Sequence, residues 1–213
     1  LRAFRLGHSL LTRRIATALP LAAIERRKGG VLQENILITE ALHWPRLDNF
    51  LLTWLTGTPH PTNDLTASQQ RHLAMMVLYQ MGRLLQQLHD NRFAHRDLKA
   101  ANLFVGWDIS HRPQLVLIDL DGLKQVRRVT TRRQFQGLMR LNVSLLQCPA
   151  VNNCGQLRML LGYLRRPGSG RIAFKPYWRV LERWSARKLQ RQLKKRQTLQ
   201  RHERQQATRS TQV

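Results

Sequence analysis

The chain has 213 residues, enough for one domain with a core of its own. Its 36 Lys and Arg against 12 Asp and Glu give a formal charge of +24, which calls for an anionic partner such as nucleic acid, phospholipid headgroups or a phosphorylated glycolipid without choosing among them. Cys148 and Cys154 fit no zinc-site spacing and read as ordinary thiols of a reducing compartment, and no apolar run reaches the roughly 18 to 20 residues of a membrane span.

Residues 2–15 set Phe4, Leu6, Leu10, Leu11 and Ile15 at helical spacing, which predicts a basic amphipathic helix broken by Pro20. The first 24 residues are basic and acid-free, as in a transit peptide, but Arg13 and Arg14 interrupt any signal-peptide apolar core. Residues 21–26 and 31–40 read as two strands of a hairpin turning at Lys28-Gly29-Gly30. A short helix is expected over 47–55 and a proline-containing loop over 58–63. Thr66 with Gln69 forms the signature of a capping box that opens a long helix through about His89. Leu73, Val77, Met81, Leu84 and Leu88 form its stripe, widened by Ala74, Leu78 and Leu85, so most of it should be buried, with Met75, Met76 and Met81 as core filler.

The long helix leads directly into FAHRDLKAANLFV, residues 93–105. In this stretch His-Arg-Asp is followed by Asn102, five residues after Asp97. Such a loop supplies a carboxylate that can accept the proton of an attacking hydroxyl and an amide oxygen that can hold Mg²⁺. Two short apolar strands, 103–105 and 115–118, should flank a polar turn containing Asp108, His111 and Pro113, bringing Asn102 close to Asp119, a second metal-binding carboxylate. The order and spacing of these elements carry the signal; either motif alone is weak. Helical patterns follow over 132–146, 153–164 and 177–199. Between the last two, Gly168-Ser169-Gly170 lacks the Lys of a phosphate-binding loop and reads as a linker. From Arg183 onward ten Lys or Arg face one Glu, a solvated or disordered basic tail.

HRDLKAANLF and LVLIDLDG resemble the protein-kinase-like superfamily. ATALPLAAIERR at 16–27 and ILITEAL at 36–42 narrow the resemblance to the bacterial lipopolysaccharide kinases that phosphorylate Kdo or heptose, whose segment reads T-P-x-P-L-A-x-x-E-R-R; Thr17-Ala18-Leu19-Pro20 departs from the usual pair of prolines. The resemblance implies an α+β, protein-kinase-like fold with an incomplete small β lobe followed by a mainly helical large lobe. It implies a remnant of the small lobe over 1–42, the large lobe over 43–182 and a basic tail over 183–213. Asp97 would be the catalytic base and Lys99 the residue that neutralises the transferring phosphoryl group. Asn102 and Asp119 would hold Mg²⁺, Glu40, Leu42 and Leu103 would be cofactor-binding positions at and beside the hinge, and His95 and Arg96 would support the loop. The cofactors implied are ATP and Mg²⁺. The implied acceptor is a sugar of the lipopolysaccharide or lipid A core, reached from the cytoplasmic face of the inner membrane through peripheral contact with anionic lipid. No specific nucleic acid is expected.

Asp121 stands where protein kinases place the Gly of D-F-G, no A-P-E follows, and only 94 residues come after Asp119, all of which argues against a protein substrate. No Gly-rich loop precedes the hairpin, and the single Lys before position 99 is Lys28, in a turn. On the family pattern both parts would lie upstream of Leu1, so the chain reads as N-terminally truncated. An alternative follows: a catalytically impaired kinase-fold fragment that acts as an anion-binding module.

Overall fold

A computed structural model describes residues 1–56, 65–108, 112–168 and 170–210, apart from the side chains of 196, 199 and 201–210. The proline loop at 58–63, His111 and Ser169 therefore lie outside the described residues. The longest helix packed through the core, α3 (Ala67–Asp90), begins as the sequence requires. Thr66 accepts from the Gln69 amide, and the Gln69 side chain bonds back to Thr66. Its apolar stripe is buried, with Ala74, Val77, Leu78, Met81, Leu85 and Leu88 all almost fully removed from solvent. Met76 departs from the core-filler expectation, because it falls on the outer face of the helix and is 37% exposed.

Helix α1 (Arg2–Leu11) stops earlier than the pattern of residues 2–15 suggests. A turn at Arg13 and Arg14, where Arg14 takes φ 57°, swings Ile15 into the core from outside the helix. The chain then forms an antiparallel hairpin, β1 (Pro20–Lys28) with β2 (Val31–Thr39). Lys28 pairs with Val31, so the loop is Gly29-Gly30, and both glycines take positive φ, 57° and 79°. That is the twist a two-residue hairpin needs, and glycine meets it without a Cβ penalty. Outward on one face lie the pairs Ile24–Ile36 and Arg26–Glu34, leaving Ile24, Ile36 and Ile38 exposed.

Residues 40–46 leave β2 and run beside β4 (Leu103–Trp107). Val105 donates to Pro45, Arg46 bridges Phe104, and a Cβ on Gly106 would lie 2.6 Å from the Trp44 ring. Helix α2 (Leu47–Thr56) follows and buries Leu47, Phe50 and Leu51. β4 pairs antiparallel with β5 (Pro113–Leu117), so Pro113 belongs to the strand rather than to the turn expected before it. Two three-residue strands, β3 (Phe93–His95) and β6 (Leu123–Gln125), pair with each other. Three further helices follow, α4 (Thr131–Leu146), α5 (Asn153–Leu164) and α6 (Lys175–Ser210). The two-stranded sheets and the mainly helical remainder match the α+β architecture expected. Among the described residues no helix is long and apolar enough to cross a membrane.

Candidate active site

Burial of Phe93 and Leu98 pins both ends of the loop between them, while Arg96, Asp97 and Lys99 face solvent. Each end is also held by hydrogen bonds. The Arg96 amide donates to Gly122, tying the loop to the turn before β6. Ala100 donates its amide to Ser144 Oγ of α4 at 3.0 Å, and the Ser144 hydroxyl donates in turn to Leu141 at 2.7 Å. Residues Ala100–Asn102 form a single 3-10 turn that places Asn102 at the start of β4.

The sequence-predicted polar residues converge. Asn102 Nδ2 donates to the Asp97 carbonyl at 3.1 Å and to Asp119 Oδ2 at 2.9 Å. His95 links the same two segments from beneath. Its Nε2 lies 2.7 Å from the Asp119 carbonyl, and its Nδ1 accepts from the Asp97 amide at 3.2 Å. Those partners require the neutral tautomer with the proton on Nε2, because a carbonyl only accepts and an amide only donates. Burial lowers the His95 pKa against the pull of Asp119 and Asp97, which keeps that tautomer neutral. Gly122 makes room for the ring: a Cβ there would meet His95 Cε1 at 2.6 Å. Lys99 Nζ sits 3.0 Å from Asp97 Oδ2, an exposed pair that contributes little to stability but holds a cation beside the carboxylate.

The donor set suits a hard divalent cation. Asn102 commits its nitrogen to two acceptors, one of them the Asp119 carboxylate, so the remaining polar atom of the amide is its oxygen; carboxylate and amide oxygens are the ligands Mg²⁺ takes. Among the described residues no group of three His, Cys, Asp or Glu could hold a metal, so any ion here would complete its shell from other ligands, as Mg²⁺ does with water and phosphate oxygens.

The hinge positions are placed differently. The Glu40 carboxylate accepts from the Leu19 amide at 3.0 Å and the Glu40 amide donates to Leu19, closing the base of the hairpin, so its side chain is already engaged. Leu42 is half-buried, and Leu103 is fully buried opposite Leu117. Sequence reasoning missed Arg140. It is half-buried on α4, with burial lowering its pKa and the charge of Asp97 opposing that shift. Gln136, Arg140 and Ser144 recur at a spacing of four along a helix whose apolar stripe is Leu138, Leu141 and Leu145, so a helical wheel places them together on a second inward face.

Comparisons with known proteins follow the same direction. A family model described as the lipopolysaccharide kinase (Kdo/WaaP) family matches residues 1–158. None of the curated proteins compared matches the chain. Among solved structures 42 chains match. One of them, described as WaaP in complex with acyl carrier protein, is 22% identical, with a TM-score of 0.64, and the match covers 89% of this chain and 73% of that one. At that identity the likeness is one of fold.

Proposed function

Because the chain belongs to the lipopolysaccharide kinase (Kdo/WaaP) family, a family of phosphotransferases, we propose that it transfers the γ-phosphoryl group of ATP to a hydroxyl of an inner-core sugar, Kdo or heptose. The observation that carries the reading is the hydrogen-bonded knot of Asp97, Asn102, Asp119 and His95. Phosphoryl transfer depends on positioning and charge neutralisation more than on covalent chemistry, so a rigid carboxylate at a solvent-facing loop is the part the protein must supply.

Asp97, exposed at the loop, accepts the hydroxyl proton as the acceptor oxygen attacks. Lys99, 3.0 Å from it, offsets negative charge on the transferring group. Asn102 and Asp119 would hold Mg²⁺, which when bound neutralises the nucleotide phosphates. His95 and Arg96 keep the loop and the segment that bears Asp119 in register. The backbone around Glu40 and Leu42, with Leu103 beside it, receives the adenine.

The decisive experiment is Asp97→Asn assayed with MgATP and a core oligosaccharide. Turnover should fall by orders of magnitude while nucleotide affinity changes little, and wild-type turnover by this variant would remove Asp97 from the chemistry.

The WaaP structure was solved with acyl carrier protein, and a partner of that kind suits this chain too. Between α4 and α6 lies a cleft of about 750 Å³ with Phe135, Met139 and Trp184 in its lining and Arg187, Lys188 and Arg191 along it. An apolar lining would accommodate an acyl chain, and the basic residues along it would favour a carrier that presents negative charge. Co-elution with acyl carrier protein, lost on Arg187→Glu/Arg191→Glu, tests it.

A further inference from the structure

We propose that the basic surface running from the catalytic loop to the end of α3 is a groove that binds phosphoryl groups already carried by the acceptor glycan, away from the hydroxyl that reacts. This inference rests on the kinase reading above and names what its acceptor must bear. Two clefts carry it. The smaller, about 160 Å³, is lined by His95, Arg96, Lys124, Arg133 and Arg140, among others. The larger, about 710 Å³, is lined by His89, Arg92, Arg127, Arg128, Val129 and Arg133. Arg133 lines both, so the clefts adjoin. One end lies at His95, whose ring accepts from the Asp97 amide, and the other lies over Arg127 and Arg128.

Seven cations thus line one path, and no Asp or Glu lines either cleft. Among the described residues none of the seven makes an ion pair with a carboxylate. A solvated basic face usually points its charges apart into water. Here they converge on concave surface, where mutual repulsion disfavours the free state and a bound polyanion relieves it. Guanidinium groups, with their fork of donors, match phosphate geometry better than ammonium groups do, and six of the seven are Arg.

Arg92 adds an independent sign. It follows the C-cap Asn91 of α3 with φ 63°, the left-handed conformation in which glycine is the ordinary choice. Its carbonyl accepts from the Val126 amide at 2.8 Å, which sets the Arg92 backbone beside the segment bearing Arg127 and Arg128. Arg92 thus combines a strained left-handed backbone with a side chain that lines the cleft, the combination that strained residues at binding sites show.

The test measures binding by calorimetry with the full chain. The probes are a deacylated core oligosaccharide that keeps its sugar phosphates and the same oligosaccharide after phosphatase treatment. Wild type should bind the phosphorylated form at least about tenfold more tightly, with millimolar inorganic phosphate competing. Arg127→Gln/Arg128→Gln should bring that ratio close to one. Arg92→Gly should weaken binding of the phosphorylated form while its Tm stays equal or rises, since glycine relieves the strain; a purely structural Arg92 would not give that combination.

A ratio near one in wild type overturns the proposal, as does a ratio that survives in both variants. Vesicles containing phosphatidylglycerol form the third arm. If the variants lose vesicle binding yet keep the oligosaccharide ratio, the groove is a lipid-headgroup surface and the proposal is wrong. MgATP-dependent transfer by wild type judges the kinase reading separately. Transfer without phosphate discrimination sinks the groove alone, and discrimination without transfer sinks the kinase reading alone.

Discussion

Asp119 holds three neighbours with three different atoms, and the division matters for chemistry. Its carbonyl receives His95 and its Oδ2 receives Asn102, while Oδ1 accepts from the Asp121 amide at 3.0 Å. Asp119→Asn keeps the carbonyl contact and the shape but removes the charge that a divalent cation needs. Mg²⁺-dependent nucleotide binding should weaken by about tenfold or more in a Mg²⁺ titration followed by a fluorescent nucleotide, with the fold intact by circular dichroism. An unchanged titration would take Asp119 out of the metal site. Asp97, Asn102 and Asp119 stood out in the sequence because phosphoryl transfer would use those residue types in that order, and the structure brings them together through Asn102. His89 was legible only as the end of a helix. Its Nδ1 lies 2.9 Å from the Tyr163 hydroxyl, a partner 74 positions away that no local pattern announces.

Burial, assisted by the charge of Arg166, holds the His89 pKa down at about 4, and burial raises that of Tyr163. The cleft side of His89 also faces Arg92, Arg127, Arg128 and Arg133. An unfolded His titrates near 6.5, so between about 6.5 and 4 the unfolded chain binds a proton that the folded chain refuses. Stability from this residue is complete above 6.5 and is lost as pH falls toward 4, by about 1.4 kcal/mol per unit over that window. Burial lowers the pKa of His95 too, and its effect runs in the same direction. Urea denaturation at pH 7.5 and 5.0 should show the loss, and His89→Gln, which cannot titrate, should show a shallower acid limb. Equal slopes for the two proteins would exclude His89 as a source.

At the scale of elements, what the sequence made legible was periodicity and capping; what it hid was contact between elements. Helices α3, α4 and α5 stand close to where their apolar stripes place them, and α5 opens with Asn152 accepting from the Gly155 amide. The three-residue strands β3 and β6 went unread because alternation needs a longer run to show, and their pairing joins Phe93 to Gln125 across the candidate site. The α3–α5 crossing was equally hidden. A Cβ on Gly82 would strike the Met159 carbonyl, with Tyr163 N at 2.6 Å, and a Cβ on Gly162 would strike the Tyr79 carbonyl. In a sequence these are two helix-interior glycines with poor propensity. In the structure they are the reason two backbones can touch. Gly162→Ala improves intrinsic helix propensity by up to about 1 kcal/mol, yet it must push α5 away from α3, which costs about 1 to 3 kcal/mol or more. The second effect should win, because the atoms struck are backbone and cannot rotate aside. The expected result is a lower urea midpoint with an unchanged m-value. A midpoint that rose would mean the helices are separated in solution.

Over the whole molecule, charge is distributed unevenly along α6. Its first half docks on α4: Leu181 is fully buried, and Ser185 accepts from Asn142 Nδ2 at 3.0 Å inside the interface. Beyond Gln192 the described side chains are exposed, and residues 194–213 carry six Lys or Arg against one Glu. The docked half has an apolar reason for its position, and composition alone had already marked the residues beyond it as a solvated basic run. On the proposed function, their charge would fit an anionic surface that bears a glycolipid acceptor. Each Lys or Arg near such a surface contributes about 1 kcal/mol at low salt, an effect that fades within a Debye length of roughly 10 Å at 0.1 M. Deleting residues 194–213 leaves the α4–α6 contact and the catalytic loop in place. It should lower the affinity for phosphatidylglycerol vesicles by at least about tenfold at low salt and flatten the salt dependence, while transfer to a soluble core oligosaccharide stays at the wild-type rate. Equal vesicle affinity with and without these residues would assign membrane attraction to the rest of the +24 chain. A parallel loss of transfer to the soluble acceptor would mean instead that the distal helix takes part in the site itself.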